Sequence, residues 1–185
     1  MVEISHTMLR CLPLLLACLG FPSVGLAHQL DEYMQAMLVY LEPKEVRFAI
    51  HLTPGVAVAD QVLALIDRNH DGAISAQEAR TYTDLVQQDL TVQLDGRKLV
   101  LRPAATYFPE PAELRTGWGF IQMQFSAPTG SLAPGGHTLS IQNRHQGKIS
   151  AYLVNAILPK TENIRITRQN RNVTQSFGEI MFVVQ

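Results

Sequence analysis

Cysteine, charge and long apolar runs are all scarce in this sequence. The 185 residues include only 2 cysteines, and 17% of residues are charged, with 15 Lys and Arg against 16 Asp and Glu. The formal net charge of −1 excludes the basic footprint of a nucleic-acid-binding protein. Because 46% of residues are hydrophobic and no low-complexity tract is present, the composition also excludes a disordered chain. The length is sufficient for one domain with a real core.

The first 27 residues have the layout of a secretory signal peptide. A polar start ends at Arg10, an uncharged stretch rich in Leu and Ala covers residues 11–24, and Gly25 and Ala27 are small residues suited to a peptidase site. This apolar stretch is too short to span a bilayer comfortably, and no second one reaches spanning length. We therefore predict cleavage near Ala27 and export to the periplasm or the extracellular space. The mature chain, residues 28–185, is predicted not to span a membrane.

Both cysteines, Cys11 and Cys18, lie in this predicted signal peptide, so the mature chain carries no thiol. Disulfide frameworks, thiolate zinc sites and cysteine nucleophiles are thereby excluded. We expect the hydrophobic core to hold the mature protein together, with help from a metal that has no thiolate ligand.

Short strands separated by turn residues dominate the mature chain. Residues 45–53 alternate apolar and polar side chains, as in a half-buried strand, and Asp95-Gly96 is typical of a two-residue hairpin turn. We predict a mainly β, β-sandwich-like antiparallel domain over residues 28–185, with an inserted helical segment at about 54–90 that makes the protein α+β overall. The predicted strands cover residues 34–41, 45–53, 91–94, 98–101, 118–125, 137–143, 151–157, 164–168 and 179–184.

Two helices are predicted within the inserted segment. Thr53 is suited to cap the first helix and Pro54 to occupy its first turn, and apolar residues then recur at helical spacing up to Asp67. The second helix is predicted over residues 75–90, where apolar side chains again fall near one face. The loop that joins the two helices carries the chemistry.

This loop, residues 67–78, places oxygen-bearing groups at its positions 1, 3, 5, 7, 9 and 12. A hard dication takes roughly six to eight oxygen ligands, and a short loop can wrap it only by turning sharply, which Gly72 at position 6 permits. Ile74 is expected to anchor the loop to the core, and Ser75 is expected to cap the second helix as well as bind, directly or through water. The predicted metal ligands are Asp67, Asn69, Asp71, Ala73 through its backbone carbonyl, Ser75 and Glu78.

With its two flanking helices, this segment resembles an EF-hand calcium-binding loop. The resemblance implies one Ca²⁺ bound in the weak range of extracellular modules, ~10⁻⁴–10⁻³ M. Ala79 departs from the family pattern, which usually has a larger apolar residue there. The sequence has no second loop of this kind. We therefore expect the lone EF-hand to be braced by the β-domain or by another copy of the chain.

Residues 28–184 also resemble exported bacterial β-domains that carry one inserted EF-hand. The matching segments are His-Gln-Leu-Asp-Glu-Tyr at 28–33, Leu-Thr-Pro-Gly at 52–55 and Tyr-Leu-Val-Asn-Ala at 152–156. Some relatives continue into a membrane region that resembles metal-transport permeases. The resemblance implies a non-enzymatic structural or interaction module. Its expected partners are the calcium ion and either another protein or a membrane permease, with no nucleic acid.

A transition-metal site is the alternative that the sequence leaves open. Cleavage after Ala27 makes His28 the first residue, and its amine and imidazole together suit copper or nickel. Further ligands would come from His51, His137 or His145. This alternative predicts a periplasmic metal-binding or delivery domain in which calcium is only structural.

No catalytic residue is predicted. His51 and Asp60 allow a hydrolytic triad on paper, but no nucleophile motif such as Gly-x-Ser-x-Gly occurs. Trp118 lies between two glycines, and we expect it in the core rather than as an exposed stacking platform.

Overall fold

Ten strands and three helices form the described part of the chain. The computed structural model describes residues 31–185, so the predicted signal peptide and His28 lie outside the described residues. In chain order the elements are β1 (Tyr33–Leu41), β2 (Glu45–Pro54), α1 (Ala59–Ile66), α2 (Ala76–Asp89), β3 (Leu90–Leu94), β4 (Arg97–Lys98), β5 (Arg102–Tyr107), α3 (Pro111–Leu114), β6 (Ile121–Pro128), β7 (Gly135–Asn143), β8 (Ser150–Ala156), β9 (Ile164–Arg171) and β10 (Phe177–Val184).

The strands form two five-stranded sheets, which confirms the mainly β prediction. The strand order is β5-β6-β2-β1-β8 in the first sheet and β4-β3-β7-β10-β9 in the second. Among the described strands all pairings are antiparallel except that of β1 with β8, so the predicted antiparallel arrangement does not hold at this pair. The reason is topological: no hairpin joins these two strands, and a strand that arrives from a distant part of the chain is free to run in either direction.

Buried side chains from both sheets belong to one hydrophobic cluster. In β2 the inward residues alternate with more exposed ones, as predicted for a half-buried strand. Val39 and Leu52 from the first sheet and Leu139 and Phe182 from the second are each at most 1% exposed. Fully burying such a side chain contributes about 1.5–3 kcal/mol, so this shared cluster is the main source of stability.

The helices α1 and α2 lie between β2 and β3 along the chain, but α1 begins later than predicted. Thr53 and Pro54 do not start a helix, because they extend β2 and pair with Met34 and Tyr33 of β1. The pairing of β2 with β6 ends at Leu52, so Pro54 lies where β2 has an open edge and its missing N–H leaves no ladder bond unmade. The helix begins only at Ala59.

Both helices bury one face. The residues buried on α1 are Ala59, Val62, Leu63 and Ile66, and those buried on α2 are Glu78, Tyr82, Thr83 and Val86. The two polar residues and the tyrosine on α2 show that this helix meets the rest of the protein through hydrogen-bonding groups as well as apolar ones. Within residues 31–185, no helix combines the length and the hydropathy needed to cross a bilayer.

The chain after the β3–β4 turn differs from the prediction. The strand expected at residues 98–101 is reduced to Arg97–Lys98, and the next strand is Arg102–Tyr107, which was not predicted. All six residues of this edge strand are exposed, so it has no alternation of apolar and polar positions for a sequence pattern to show.

Trp118 lies on the surface, and the prediction that it belongs to the core is wrong. Its side chain is 71% exposed, whereas Leu114 of α3 is fully buried. The neighbouring Gly119 passes directly against α3, since a Cβ added there would lie 2.6 Å from the carbonyl carbon of Glu113. This close approach fixes the turn that carries the indole outward.

Candidate metal-binding loop

Loop 67–78 joins the end of α1 to the start of α2. Asp67 is the C-cap of α1, and its backbone N–H still donates to the carbonyl of Leu63 at 2.8 Å. Ser75 is the N-cap of α2, so its predicted capping role is confirmed. Asp67 at loop position 1 therefore lies at the end of α1, and Glu78 at loop position 12 lies in the first turn of α2, so the helices fix both backbone positions.

Asp67 organises the first half of the loop. Its Oδ1 accepts the N–H of Asp71 at 3.2 Å and its Oδ2 accepts the N–H of Gly72 at 3.0 Å. These bonds fold the chain back over the carboxylate, with positive φ angles of 58° at His70 and 82° at Gly72. The sharp turn that the sequence predicts at Gly72 is confirmed.

Glu78 closes the second half of the loop. Its Oε1 accepts the N–H of Arg68 at 3.0 Å, and its Oε2 accepts from both the N–H and the hydroxyl of Ser75, at 3.0 and 2.7 Å. The N–H of Glu78 donates in turn to the Ser75 hydroxyl at 3.2 Å, which completes a capping box. The bond from the Ser75 hydroxyl is the main reason that the pKa of Glu78 is lowered. The charged carboxylate is thus the favoured form, and both its oxygens are turned back into the loop.

The remaining predicted ligands lie on the solvent side. Asn69 Oδ1 accepts the N–H of Asp71 at 3.1 Å, and Asn69 Nδ2 donates to Asp71 Oδ2 at 2.8 Å. Asp71 Oδ1 accepts the N–H of Ala73 at 2.9 Å. Asp67 and Glu78 are buried at 9% exposure each, while Asn69, Asp71, Ala73 and Ser75 are exposed. The loop therefore has a buried floor of two carboxylates and an open outer rim.

The donor set fits a calcium ion chemically. It offers carboxylate, amide, carbonyl and hydroxyl oxygens, which are the ligands that Ca²⁺ takes, and no nitrogen or sulfur ligand. A carboxylate oxygen has two lone pairs, and each Asp67 oxygen accepts a single N–H, so Asp67 retains acceptor capacity for a metal. Each Glu78 oxygen accepts two donors, Oε1 from the N–H groups of Arg68 and Asn69 and Oε2 from the N–H and hydroxyl of Ser75, so Glu78 must exchange some of these bonds to bind a metal with both oxygens. Across residues 31–185, no group of three or more His, Cys, Asp or Glu side chains is arranged to hold a metal ion. The fit thus depends on the mixed set of oxygen donors rather than on a cluster of carboxylates.

Ile74 lies at the middle of the loop, between its outer rim and α2. Its side chain is half-buried and packs against the hydrophobic core, as predicted. The loop is in this way attached to the hydrophobic core by an apolar contact of its own.

The histidines of the alternative metal site are engaged elsewhere. His137 lies in the second sheet, with Nδ1 2.7 Å from Asp95 Oδ2 and Nε2 2.8 Å from the carbonyl of Ala133. Both neighbours can only accept, so the doubly protonated ring satisfies both, and the bond to Asp95 raises the pKa of His137. His51, on β2 of the first sheet, stacks against Phe120 at 5.0 Å. These rings do not converge, and His28 lies outside the described residues.

The residues of the hypothetical hydrolytic triad are also separated. Asp60 forms an exposed ion pair with Arg115 at 2.7 Å, and His51 has the aromatic contact just described. No hydrogen bond joins Asp60 to His51 among the described contacts.

The structure contains a polar cluster that sequence analysis missed. His145 is fully buried and bonds through both ring nitrogens, to Asp89 Oδ2 at 2.8 Å and to the hydroxyl of Tyr82 at 2.9 Å. The Tyr82 hydroxyl also lies 2.7 Å from that of Tyr33. These residues come from α2, β1 and the β7–β8 connection, so only the long-range fold brings them together. The one available signal was the presence of polar residues, such as Gln35, on the apolar face of a strand.

Comparisons of this chain with protein-family models, with proteins of curated function and with solved structures find no match.

Proposed function

We propose that the protein is an exported calcium-binding protein that holds one Ca²⁺ in loop 67–78 and serves as a structural or interaction module. The observation that carries this proposal is the position of Glu78. It lies at the twelfth loop position, in the first turn of α2, with both carboxylate oxygens turned back into the loop. A bidentate carboxylate at this position is what closes a calcium site in a loop of this length.

The proposed roles of the other ligands follow from their burial. Asp67 and Glu78 form the floor, Asn69, Asp71 and Ser75 form the rim, and the carbonyl of Ala73 completes the set. When bound, calcium supplies two positive charges that offset the repulsion among the three carboxylates of the loop. The N–H groups of Asp71 and Gly72 keep the Asp67 carboxylate in place for that ion. Glu78 binds the ion by exchanging hydrogen bonds that its oxygens accept within the loop.

The proposal includes the finer architecture and the location. The shared hydrophobic cluster supports a β-sandwich-like packing of the two sheets. The helix–loop–helix at residues 59–89 supports an EF-hand inserted between β2 and β3. The contact of Ile74 with the core supports bracing by the β-domain, which replaces the second EF-hand that such loops usually pair with. The signal-like residues 1–27 support export, and the partner is proposed to be another protein or a membrane permease.

Titration calorimetry on the processed protein tests the site. We expect calcium to bind at one site in the wild type and the variant Glu78→Gln to abolish that binding. Glu113→Gln is the matched control, because it makes the same change at an exposed residue in the first turn of α3, outside the loop. At free calcium about ten times Kd, binding stabilises the fold by about 1.4 kcal/mol, which a thermal melt detects. Absence of binding at several millimolar calcium, or equal binding by Glu78→Gln, would contradict the proposal.

A further inference from the structure

A buried polar cluster centred on His145 joins α2 to both sheets. The backbone N–H of His145 donates to Asn143 Oδ1 at 2.9 Å. Its carbonyl accepts from Gln35 Nε2 and from the Tyr152 hydroxyl, each at 2.8 Å. Asn143 Nδ2 donates back to Gln35 Oε1 at 2.9 Å. We call this set, together with Tyr33, Tyr82 and Asp89, the His145 cluster.

Helix α2 is the only helix in residues 31–185 that contributes side chains to this cluster. Tyr82 provides the hydroxyl between His145 and Tyr33, and Asp89 provides the carboxylate on the other ring nitrogen. The backbone carbonyl of Asp89 also accepts the N–H of Arg144 at 3.0 Å. Helix α2 is therefore hydrogen-bonded to the cluster both in its middle, at Tyr82, and at its C-terminal end, at Asp89.

Each hydrogen bond in the cluster has a defined direction. The Asp89 carboxylate can only accept, so His145 Nδ1 carries the proton and Nε2 accepts from the Tyr82 hydroxyl. Tyr82 in turn accepts from Tyr33. Burial lowers the pKa of His145 and raises that of Tyr82, which favours these neutral forms. Tyr152 and Asp89 are the other titratable groups that face His145.

The loop and the cluster are connected by a single turn of helix. Glu78 and Tyr82 are four residues apart on α2, so they lie on the same face, about 6 Å apart along the axis. No glycine or proline interrupts this turn. A shift or rotation of α2 at Glu78 consequently displaces the Tyr82 hydroxyl, which has partners on two sides.

We propose that the His145 cluster is energetically coupled to calcium binding in loop 67–78. Calcium that fixes Glu78 strengthens the contacts of Tyr82 and Asp89 with His145, and loss of those contacts weakens calcium binding by the same factor, since coupling between two sites is reciprocal. This inference rests on the proposed function. The proposed coupling assigns the regulation of calcium affinity in loop 67–78 to residues that are not among the proposed metal ligands.

Within the described part of the chain, the other helix of the pair, α1, has no comparable set of hydrogen bonds to the sheets. The polar contact of α1 with a distant element is the ion pair of Asp60 with Arg115, whose side chains are 83% and 53% exposed. Exposed pairs of this kind contribute little. The rest of α1 is held by apolar packing, which does not specify one hydrogen-bonded position. We therefore assign the coupling to α2.

The coupling is tested by comparing Tyr82→Phe with Thr83→Val. Both variants remove one buried hydroxyl from the same helix, but within residues 31–185 the Thr83 hydroxyl bonds only to the carbonyl of Ala79 in α2 itself. We expect Tyr82→Phe to weaken calcium binding in calorimetry by about fivefold or more, within the usual range of coupled sites. Thr83→Val should leave the affinity unchanged. If Tyr82→Phe does not fold, Tyr33→Phe removes one of the same hydrogen bonds from the side of the sheet and takes its place.

A second measurement uses the wild-type protein without any change in the cluster. The ring ¹⁵N and ¹H resonances of His145 should shift as calcium is added, and this shift should be absent in Glu78→Gln. If the wild type binds calcium but these resonances do not move and Tyr82→Phe keeps full affinity, the coupling is refuted and the proposed function stands. If the wild type binds no calcium, both are refuted.

Discussion

Replacing Gly72 with alanine tests whether the turn in loop 67–78 is required for the proposed site. Gly72 has a φ of +82°, and apart from Gly72 and its two chain neighbours no atom of the described residues lies within 4 Å of the position that an added Cβ would occupy. The substitution therefore introduces no clash. Its cost is the conformational strain of a non-glycine residue in the left-handed region.

The expected magnitude is about 1 kcal/mol. Left-handed backbone costs an L-residue about 1–2 kcal/mol, and the stiffer unfolded chain of the alanine variant returns about 0.4–1 kcal/mol. If the strain of about 1 kcal/mol falls only on the calcium-bound loop, it lowers calcium affinity by about fivefold. If the loop keeps its turn without calcium, the same energy appears as lower stability instead.

Gly96→Ala is the matched control. Gly96 has a φ of +77° and the same open space around its Cβ position, but it lies in the turn between β3 and β4. It should lose about the same free energy of unfolding, with or without calcium, and bind calcium as the wild type does. The two variants thus separate strain in general from strain at the metal loop.

Urea unfolding followed by far-UV circular dichroism, in saturating calcium and in chelator, gives the stabilities, and calorimetry gives the affinities. In saturating calcium both variants should lose about 1 kcal/mol, which corresponds to about 2–4 °C in Tm for a protein of this size. Wild-type stability and wild-type affinity in Gly72→Ala, beside a destabilised Gly96→Ala, would refute the argument that position 72 needs this backbone conformation.

Two further predictions concern the sheets. The pKa of His137 is raised and that of Asp95 is lowered by their mutual bond, so the pair stabilises the fold most between the ordinary values of about 3.9 and 6.5. This stability is lost as pH rises through the folded pKa of His137 or falls through that of Asp95. Asparagine tolerates the positive φ at position 95, so the free energy of unfolding of Asp95→Asn should fall less between pH 5.5 and 8.5 than that of the wild type. The same pH dependence in both proteins would contradict the pairing. Gly119→Ala should lose about 1–3 kcal/mol in urea unfolding, because its Cβ would meet the backbone of Glu113 at 2.6 Å. Gly136→Ala, with open space and no positive φ, should be nearly neutral, and equal stability of the two variants would be the contrary result.

The strands that follow a local pattern were predictable, and those set by distant pairing were not. Residues 45–53 show the alternation that burial of one face requires, and the structure places a strand there. Pro54 was misassigned because its local chemistry suits a helix start, whereas its partner in the sheet is Tyr33, 21 positions earlier in the sequence. The β5 strand has no buried face, so nothing in its composition distinguishes it from a loop.

The candidate loop could be predicted from local sequence, whereas the His145 cluster could not. All six proposed ligands of the loop lie within twelve consecutive residues, and the turn at Gly72 and the cap at Ser75 are local features that the sequence specifies. In the cluster, Gln35 and Asn143 are 108 residues apart, and Tyr82 and His145 are 63 apart. Side chains at such separations meet only through the sheet topology, which no local pattern reveals.

A locally specified loop and contacts set by the distant fold are both needed for a single helix–loop–helix to be stable. A loop that is specified locally still needs its helices held at a fixed distance, and an isolated helix pair of this size is marginal in water. Here Ile74 packs on the core, and Tyr82 and Asp89 bond to His145. In the proposed EF-hand, these contacts would take the place of a second loop. Transplanting residues 53–90 onto an unrelated sheet would therefore be expected to preserve the ligands but lose the fixed position of α2.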